Sequence, residues 1–108
     1  MNNKNIIVQK LKDILKDLNV VYSKIMLFGS RARDESNEDS DWDFLIILKK
    51  PIQVEAKKEL WYNIYHQFHQ YFPLISVDII IIDAKSFEEE KNIVNTISNE
   101  VYVEGIEV

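Results

Sequence analysis

Two aspartates separated by one residue, Asp41 and Asp43, are the side chains of this 108-residue sequence best placed for chemistry. They flank Trp42 at the start of an apolar run that predicts a β-strand. Side chains alternate along a strand, so both carboxylates would share one face, with Cα atoms about 6.6 Å apart. Carboxylates at this spacing can bridge two divalent ions about 3.5–4 Å apart, as in two-metal phosphoryl chemistry. Because hard cations prefer oxygen ligands, the pair predicts a Mg²⁺ site.

A third aspartate, Asp78, lies inside the later β-branched run SVDIIII. Burying its charge without a partner would cost several kcal/mol. If the two strands pair, Asp78 would lie beside Asp41 and Asp43 and share their cation. The alternative is an ordinary strand-end carboxylate exposed to water.

The pair Gly29-Ser30 follows a short apolar run that predicts a buried strand. A glycine there lets backbone N–H groups approach an anion, and a helix that started next would direct its free N–H groups toward that anion. Ser30 adds a hydroxyl donor, and Arg31 and Arg33 could meet phosphate oxygens. The alternative is a plain turn with arginines on the surface.

Composition narrows the class of protein. The net charge is −5 and the sequence has no Lys/Arg stripe, which argues against direct nucleic-acid binding. The absence of cysteine excludes disulfides and thiolate metal sites. No stretch approaches the roughly 20 apolar residues that a membrane span needs, and the charged N-terminus does not resemble a signal peptide. We therefore expect a cytoplasmic protein that does not bind membranes.

Apolar periodicity predicts one α/β (α+β) domain over residues 1–108, with a short mixed sheet and helices packed mainly on one face. The predicted elements are helix 4–19, strands 23–28 and 43–48, helix 54–72, strand 75–82 and helix 87–100. Strand 75–82 is almost entirely β-branched, which predicts a central strand covered on both faces. The tail VYVEGIEV would add a short strand or dock loosely.

The combination of these motifs is more specific than any one of them. In FGSRARDESNEDSDWDFLI, Gly29-Ser30 is followed after ten residues by Asp41-x-Asp43, and Asp78 lies on a later strand. This arrangement resembles the DNA polymerase β-like nucleotidyltransferase superfamily. It is most similar to the minimal nucleotidyltransferases, the MNT domains that pair with HEPN-domain proteins in toxin–antitoxin modules. The resemblance covers essentially the whole chain.

The resemblance implies a catalytic and metal-binding triad. Asp41, Asp43 and Asp78 would ligate two Mg²⁺ ions that hold the triphosphate of ATP, and Asp78 would take the proton of the acceptor hydroxyl. Gly29 and Ser30 would grip the β- and γ-phosphates. The other carboxylates of the loop are expected to be solvated: Asp34, Glu35, Glu38 and Asp39.

The resemblance also implies a reaction and a partner. AMP would be transferred from ATP to a tyrosine hydroxyl of a HEPN-domain toxin, silencing it, and the two proteins could form a hetero-oligomer. Arg31 and Arg33 would assist phosphate binding. Two alternatives stay open at this point: an antitoxin that neutralises its partner by binding alone, and an adenylyltransferase that modifies a small molecule.

Overall fold

The computed structural model describes residues 3–37 and 39–108, so the loop residue Glu38, predicted to be solvated, lies outside the described residues. The elements in chain order are α1 (Asn3–Asp17), β1 (Tyr22–Phe28), β2 (Trp42–Leu48), α2 (Val54–Tyr71), β3 (Val77–Asp83), α3 (Ala84–Glu90), α4 (Ile97–Glu104) and β4 (Ile106–Glu107).

The four strands form one mixed sheet in the order β3-β2-β1-β4. β1 pairs antiparallel with β2 and with β4, whereas β2 and β3 run parallel. The parallel pair is connected through α2, because parallel strands need a crossover. The predicted mixed sheet is therefore confirmed, and the tail contributes the short strand β4.

Strand alternation divides the apolar side chains between two cores. The larger core lies between the sheet and the two long helices α1 and α2, and includes Leu11, Phe44 and Phe68. The smaller core lies on the opposite face, where Leu45 and other residues of the sheet pack against Val101 of α4. The long helices thus cover one face, as predicted, and the short helices α3 and α4 cover part of the other.

Two predictions about individual elements were wrong. Strand 75–82 is not central: β3 forms an edge of the sheet, although both of its faces are covered. The single helix predicted over 87–100 is divided into α3 and α4, with Asn95 at a φ of 74° between them. Thr96 then starts α4 as its N-cap by accepting a hydrogen bond from the Asn99 N–H.

Among residues 3–37 and 39–108, no helix is both long enough and apolar enough to cross a bilayer.

Candidate active site

Asp43 and Asp78 lie side by side on neighbouring strands. They are register partners in the parallel pair β2–β3, where adjacent strands are about 4.8 Å apart. Trp42, Phe44 and Val77 point into the core under α1 and α2. By alternation, Asp43 and Asp78 project from the opposite face, toward the side covered by α3 and α4. The structure thus brings together two of the three predicted metal ligands.

Gly29 is packed directly against the Asp43 carboxylate. β1 ends at Phe28, the register partner of Asp43, so the chain turns at Gly29 immediately beside the acidic pair. A Cβ atom built on Gly29 would overlap the Asp43 carboxylate, and the backbone φ is +75°, a conformation that side chains with a Cβ rarely adopt. Both facts require glycine at this position. They also place the glycine of the Gly-Ser pair directly against the second aspartate of the Asp-x-Asp pair.

The segment after Ser30 is a tight turn and not the start of a helix, in contrast to the prediction. The Gly29 carbonyl accepts hydrogen bonds from the N–H groups of Ala32 and Arg33, and the Ser30 carbonyl accepts from Glu35. Asp34, at a φ of 58°, ends the turn. Any anion bound here would therefore be held by the backbone and side chains of a single turn, without a helix dipole.

Asp41 lies just outside β2 and its side chain is exposed to solvent. Within residues 3–37 and 39–108, no three Asp, Glu or His side chains are drawn together into a formed metal-binding cluster. The acidic centre is thus the pair Asp43 and Asp78, with Asp41 at its margin. A donor set of two or three carboxylates fits Mg²⁺, which usually takes one or two carboxylates and completes its shell with water and substrate phosphates.

The carboxylates of the site repel one another when no cation is bound between them. Partial burial raises the pKa of the Asp43 carboxyl, and the negative charges of Asp78, Asp41 and Glu100 raise this pKa further. Arg33 acts in the opposite direction and lowers it. A bound divalent ion would relieve this repulsion, so the crowding of carboxylates is the arrangement expected of a cation site.

Arg33 is on the same side of the sheet as the acidic pair and is held by two carboxylates. Its Nη1 lies 3.1 Å from Glu104 Oε2 at the end of α4, and its Nε lies 3.4 Å from Glu35 Oε1. The hydrogen bond to Glu104 is the main reason why the pKa of the Arg33 guanidinium is raised. Its predicted contact with phosphate would require an exchange of these partners.

Arg31 has a different place. Its guanidinium lies 4.1 Å from the ring centre of Trp42, on the side of the larger core. Its Nε and Nη2 donate to the Ser40 carbonyl at 3.1 and 2.9 Å, and Nη2 also donates to the Asn37 carbonyl. Arg31 therefore holds the loop that leads from the glycine turn to Asp41. To reach a phosphate it would have to leave these contacts.

Tyr65 of α2 is a site residue that the sequence pattern did not reveal. Its hydroxyl lies 2.8 Å from the Val77 carbonyl and accepts a hydrogen bond of 3.0 Å from the Ile79 N–H. It is also 3.4 Å from Asp78 Oδ1. Burial is the main cause of the raised pKa of the Tyr65 hydroxyl, so this group keeps its proton near neutral pH. Tyr65 thus fixes the outer edge of β3 on both sides of Asp78.

Replacing Tyr65 with phenylalanine is expected to lower the free energy of unfolding by about 1 kcal/mol, because two backbone groups of β3 lose their partner. Thermal or urea unfolding measures this change. Tyr62→Phe is the matched control. Tyr62 is on the same helix, its side chain is exposed, and its ring stacks on His66. Equal stability losses in the two variants would contradict the role assigned to the Tyr65 hydroxyl.

These features define a class of protein: a small mixed sheet whose first strand ends in a glycine turn, packed against carboxylates on the next two strands. The sequence profile of the nucleotidyltransferase domain family matches residues 8–103. The chain belongs to this family. The resemblance drawn from Gly29-Ser30 and Asp41-x-Asp43 is therefore confirmed at the level of the family. No curated protein matches the sequence significantly.

Solved structures share the fold. A toxin–antitoxin complex crystallised with AMP-PNP is 20% identical, with a TM-score of 0.59 over 92% of this chain and 69% of that chain. A variant of the toxin–antitoxin pair MntA–HpeT is 19% identical, with a TM-score of 0.55 over 100% and 72% of the two chains. A nucleotidyltransferase described as putative, from Sulfolobus solfataricus, is 23% identical, with a TM-score of 0.52 over 94% and 80%.

Proposed function

We propose that this chain is the antitoxin of a toxin–antitoxin pair and acts as a protein adenylyltransferase. It would transfer AMP from ATP to a tyrosine hydroxyl of a HEPN-domain toxin and so inactivate the toxin. Membership of the nucleotidyltransferase family supports the reaction class. The likeness of the fold to toxin–antitoxin structures, one of them with AMP-PNP, favours an antitoxin that uses ATP.

The observation that carries the proposal is the juxtaposition of Asp43, Asp78 and the glycine turn. In this proposal Asp43 and Asp78, joined by Asp41, would hold Mg²⁺, which supplies charge neutralisation for the triphosphate. Gly29 and Ser30 would bind the β- and γ-phosphates through the turn. Arg33 lies on the same side of the sheet as the acidic pair, so it is better placed than Arg31 to contact these phosphates.

The chemical step follows from these assignments. The oxygen of the acceptor hydroxyl attacks the α-phosphorus of ATP and forms a new P–O bond, while the bond between the α-phosphorus and the bridging oxygen to the β-phosphate breaks. The hydroxyl proton passes to the Asp78 carboxylate, which acts as general base. Pyrophosphate leaves and AMP remains on the acceptor.

The MntA–HpeT pair provides a further parallel. One of its crystallised variants has two aspartates, two positions apart in the chain, replaced by glutamate; it is 18% identical to this chain with a TM-score of 0.56. Asp41 and Asp43 have the same separation here. We propose that they occupy the equivalent place.

The proposal predicts that the reading frame beside this one encodes a small helical HEPN-domain protein with an R-x4-6-H-x-Y motif. Incubation of that protein with this chain, ATP and Mg²⁺ is expected to add the mass of one or more AMP units to it, as measured by mass spectrometry of the intact protein. Peptide mapping should locate the AMP on a tyrosine. A partner that binds this chain and stays unmodified would contradict the enzymatic proposal and favour neutralisation by binding alone.

A further inference from the structure

The helix α4 packs one side against the sheet and leaves several apolar residues exposed on the rest of its surface. Val101 and Ser98 are buried on the sheet side, where Val101 belongs to the smaller core. Ile97 and Val103 of the same helix are exposed, and so is Val94 in the segment before it. A short surface helix normally presents polar residues on its outer side. On α4, Ile97 lies one turn before Val101 at the rim of the buried side, and Val103 projects from the outer side, so the exposed surface is partly apolar.

These exposed residues line a groove of about 400 Å³, which we call the α4 groove. Its uncharged lining residues are the apolar Val94, Ile97 and Val103 and the polar Asn95, Thr96 and Asn99. The charged residues that line it, Glu100 and Glu104, are both acidic. Such a surface favours a partner segment with apolar side chains and a neighbouring positive charge.

The α4 groove borders the candidate active site. Val101 of α4 packs in the smaller core with Phe28, the register partner of Asp43. Glu104 is bonded to Arg33, which follows the glycine turn. A protein seated in the groove would therefore lie against the site toward which Asp43 and Asp78 project.

A second groove is lined mainly by apolar residues, Val54, Trp61 and Tyr62 of α2 and the isoleucines of β3, and carries charge of the opposite sign. Its charged lining residues are Lys57 and Lys58. It lies along the outer edge of β3, where Trp61 Nε1 and the Tyr65 hydroxyl already bond the backbone. This α2 groove serves as the comparison surface for the α4 groove.

We propose that the α4 groove is the surface on which the protein acceptor docks, through an apolar segment flanked by lysine or arginine. This inference rests on the proposed function, because it assigns the surface that presents the acceptor hydroxyl to Asp43 and Asp78. The basic residue of the acceptor would pair with Glu100. The apolar residues would cover Val94, Ile97 and Val103.

The test measures binding and AMP transfer separately, with the HEPN-domain protein from the adjacent reading frame as the probe. Val103→Lys is expected to raise the Kd for that protein by about tenfold or more, because it replaces an apolar contact with a positive charge that repels a basic segment. Val103→Asp should raise the Kd less, since it does not repel a basic segment. The KM for ATP should stay at the wild-type value in both variants.

Val54→Lys and Val21→Lys are matched controls, because their side chains are exposed to the same extent: 65% and 66%, against 69% for Val103. Val54 lines the α2 groove, and Val21 precedes β1, outside both grooves. Both controls should bind like the wild type. A Val103→Lys protein that binds normally, or a larger loss with Val54→Lys, overturns the α4 docking surface.

The outcomes also separate this inference from the proposed function. A wild-type chain that binds the HEPN-domain protein without transferring AMP contradicts the enzymatic function, while the Kd values still decide where the partner docks. Normal AMP transfer with unchanged binding by Val103→Lys overturns the docking surface alone. A wild-type chain that neither binds nor modifies the protein overturns both. A greater loss with Val103→Asp than with Val103→Lys overturns the basic character of the docked segment.

Discussion

Replacing Asp43 with asparagine is expected to lower the rate of AMP transfer by about 10³-fold or more, the scale on which a single charged group acts in phosphoryl transfer. Asp43 is central to the site: it is the register partner of Asp78 and packs on Gly29. Asparagine keeps the shape of the side chain and removes the charge that would hold a cation. Transfer of labelled AMP from ATP to the HEPN-domain protein measures the loss.

Asp34→Asn is the matched control for this variant. It removes one carboxylate from the same loop, at a φ of 58° that asparagine tolerates. Transfer by Asp34→Asn should equal that of the wild type. Retained transfer by the Asp43 variant would refute the assignment of the acidic pair as the catalytic centre. If the Asp43 variant is inactive in transfer and still protects cells fully from the toxin, neutralisation occurs by binding.

Asp43→Asn is also expected to stabilise the folded protein in the absence of divalent ions. Because the pKa of Asp43 is raised in the folded state, the folded chain binds more protons than the unfolded chain just above the ordinary aspartate pKa. The free energy of unfolding therefore falls as the pH rises through this window, and the penalty persists at neutral pH. Asp43→Asn should raise the midpoint of thermal unfolding by a few degrees near pH 7 and by less near pH 3.5.

Addition of Mg²⁺ with ATP reverses the comparison. The wild-type protein should gain thermal stability from the ligands, because they bind the folded state, whereas Asp43→Asn should gain little. A raised midpoint for Asp43→Asn without ligand, combined with the loss of transfer, would show that the carboxylate is kept for function at a cost in stability. A less stable Asp43→Asn protein at neutral pH would contradict the like-charge repulsion at the site.

The acidic pair could be predicted from the sequence because it depends on local geometry. The alternation of side chains fixes the face on which Asp43 and Asp78 project once the two strands pair in register. The position of Gly29 beside Asp43 could be predicted for the same reason, because Gly29 directly follows β1, the strand that pairs with β2. Their chain positions thus determined their arrangement in space.

The other site residues could not be predicted in this way, because their roles depend on the direction of long side chains. Arg31 and Arg33 are two positions apart, and one turns to Trp42 while the other turns to Glu104. Tyr65 packs against the larger core, and the spacing of apolar residues along α2 does not indicate which backbone groups its hydroxyl bonds. A buried tyrosine usually directs its hydroxyl to a partner, which is the signal that could have marked it.

The division of the last predicted helix has a similar cause. The apolar residues from Phe87 to Val101 fit the period of one helix, so periodicity alone favoured a continuous element. The break depends on the left-handed conformation of Asn95 and on the cap at Thr96, which compete with the helical pattern. After this break, α4 ends at Glu104, whose carboxylate forms an ion pair with Arg33.

Replacing Gly29 with alanine is expected to lower AMP transfer by about 10²-fold or more, because the new Cβ atom would displace the Asp43 carboxylate from its position beside Asp78. The left-handed backbone at a φ of +75° adds a cost of about 1–2 kcal/mol to the free energy of unfolding. The transfer assay and chemical denaturation measure these two effects independently. Transfer must be compared at a temperature where both proteins are folded.

Asn19→Ala separates the two causes. Asn19 has a φ of 58° in the exposed turn between α1 and β1, so alanine meets the same backbone penalty there, away from the carboxylates. This variant should lose stability without losing transfer. If Gly29→Ala is destabilised to the same extent as Asn19→Ala and retains full transfer, the glycine serves the turn alone. A selective loss of transfer in Gly29→Ala would mean that the contact between the turn and Asp43 sets the geometry of the acidic pair, since the backbone strain is common to both variants.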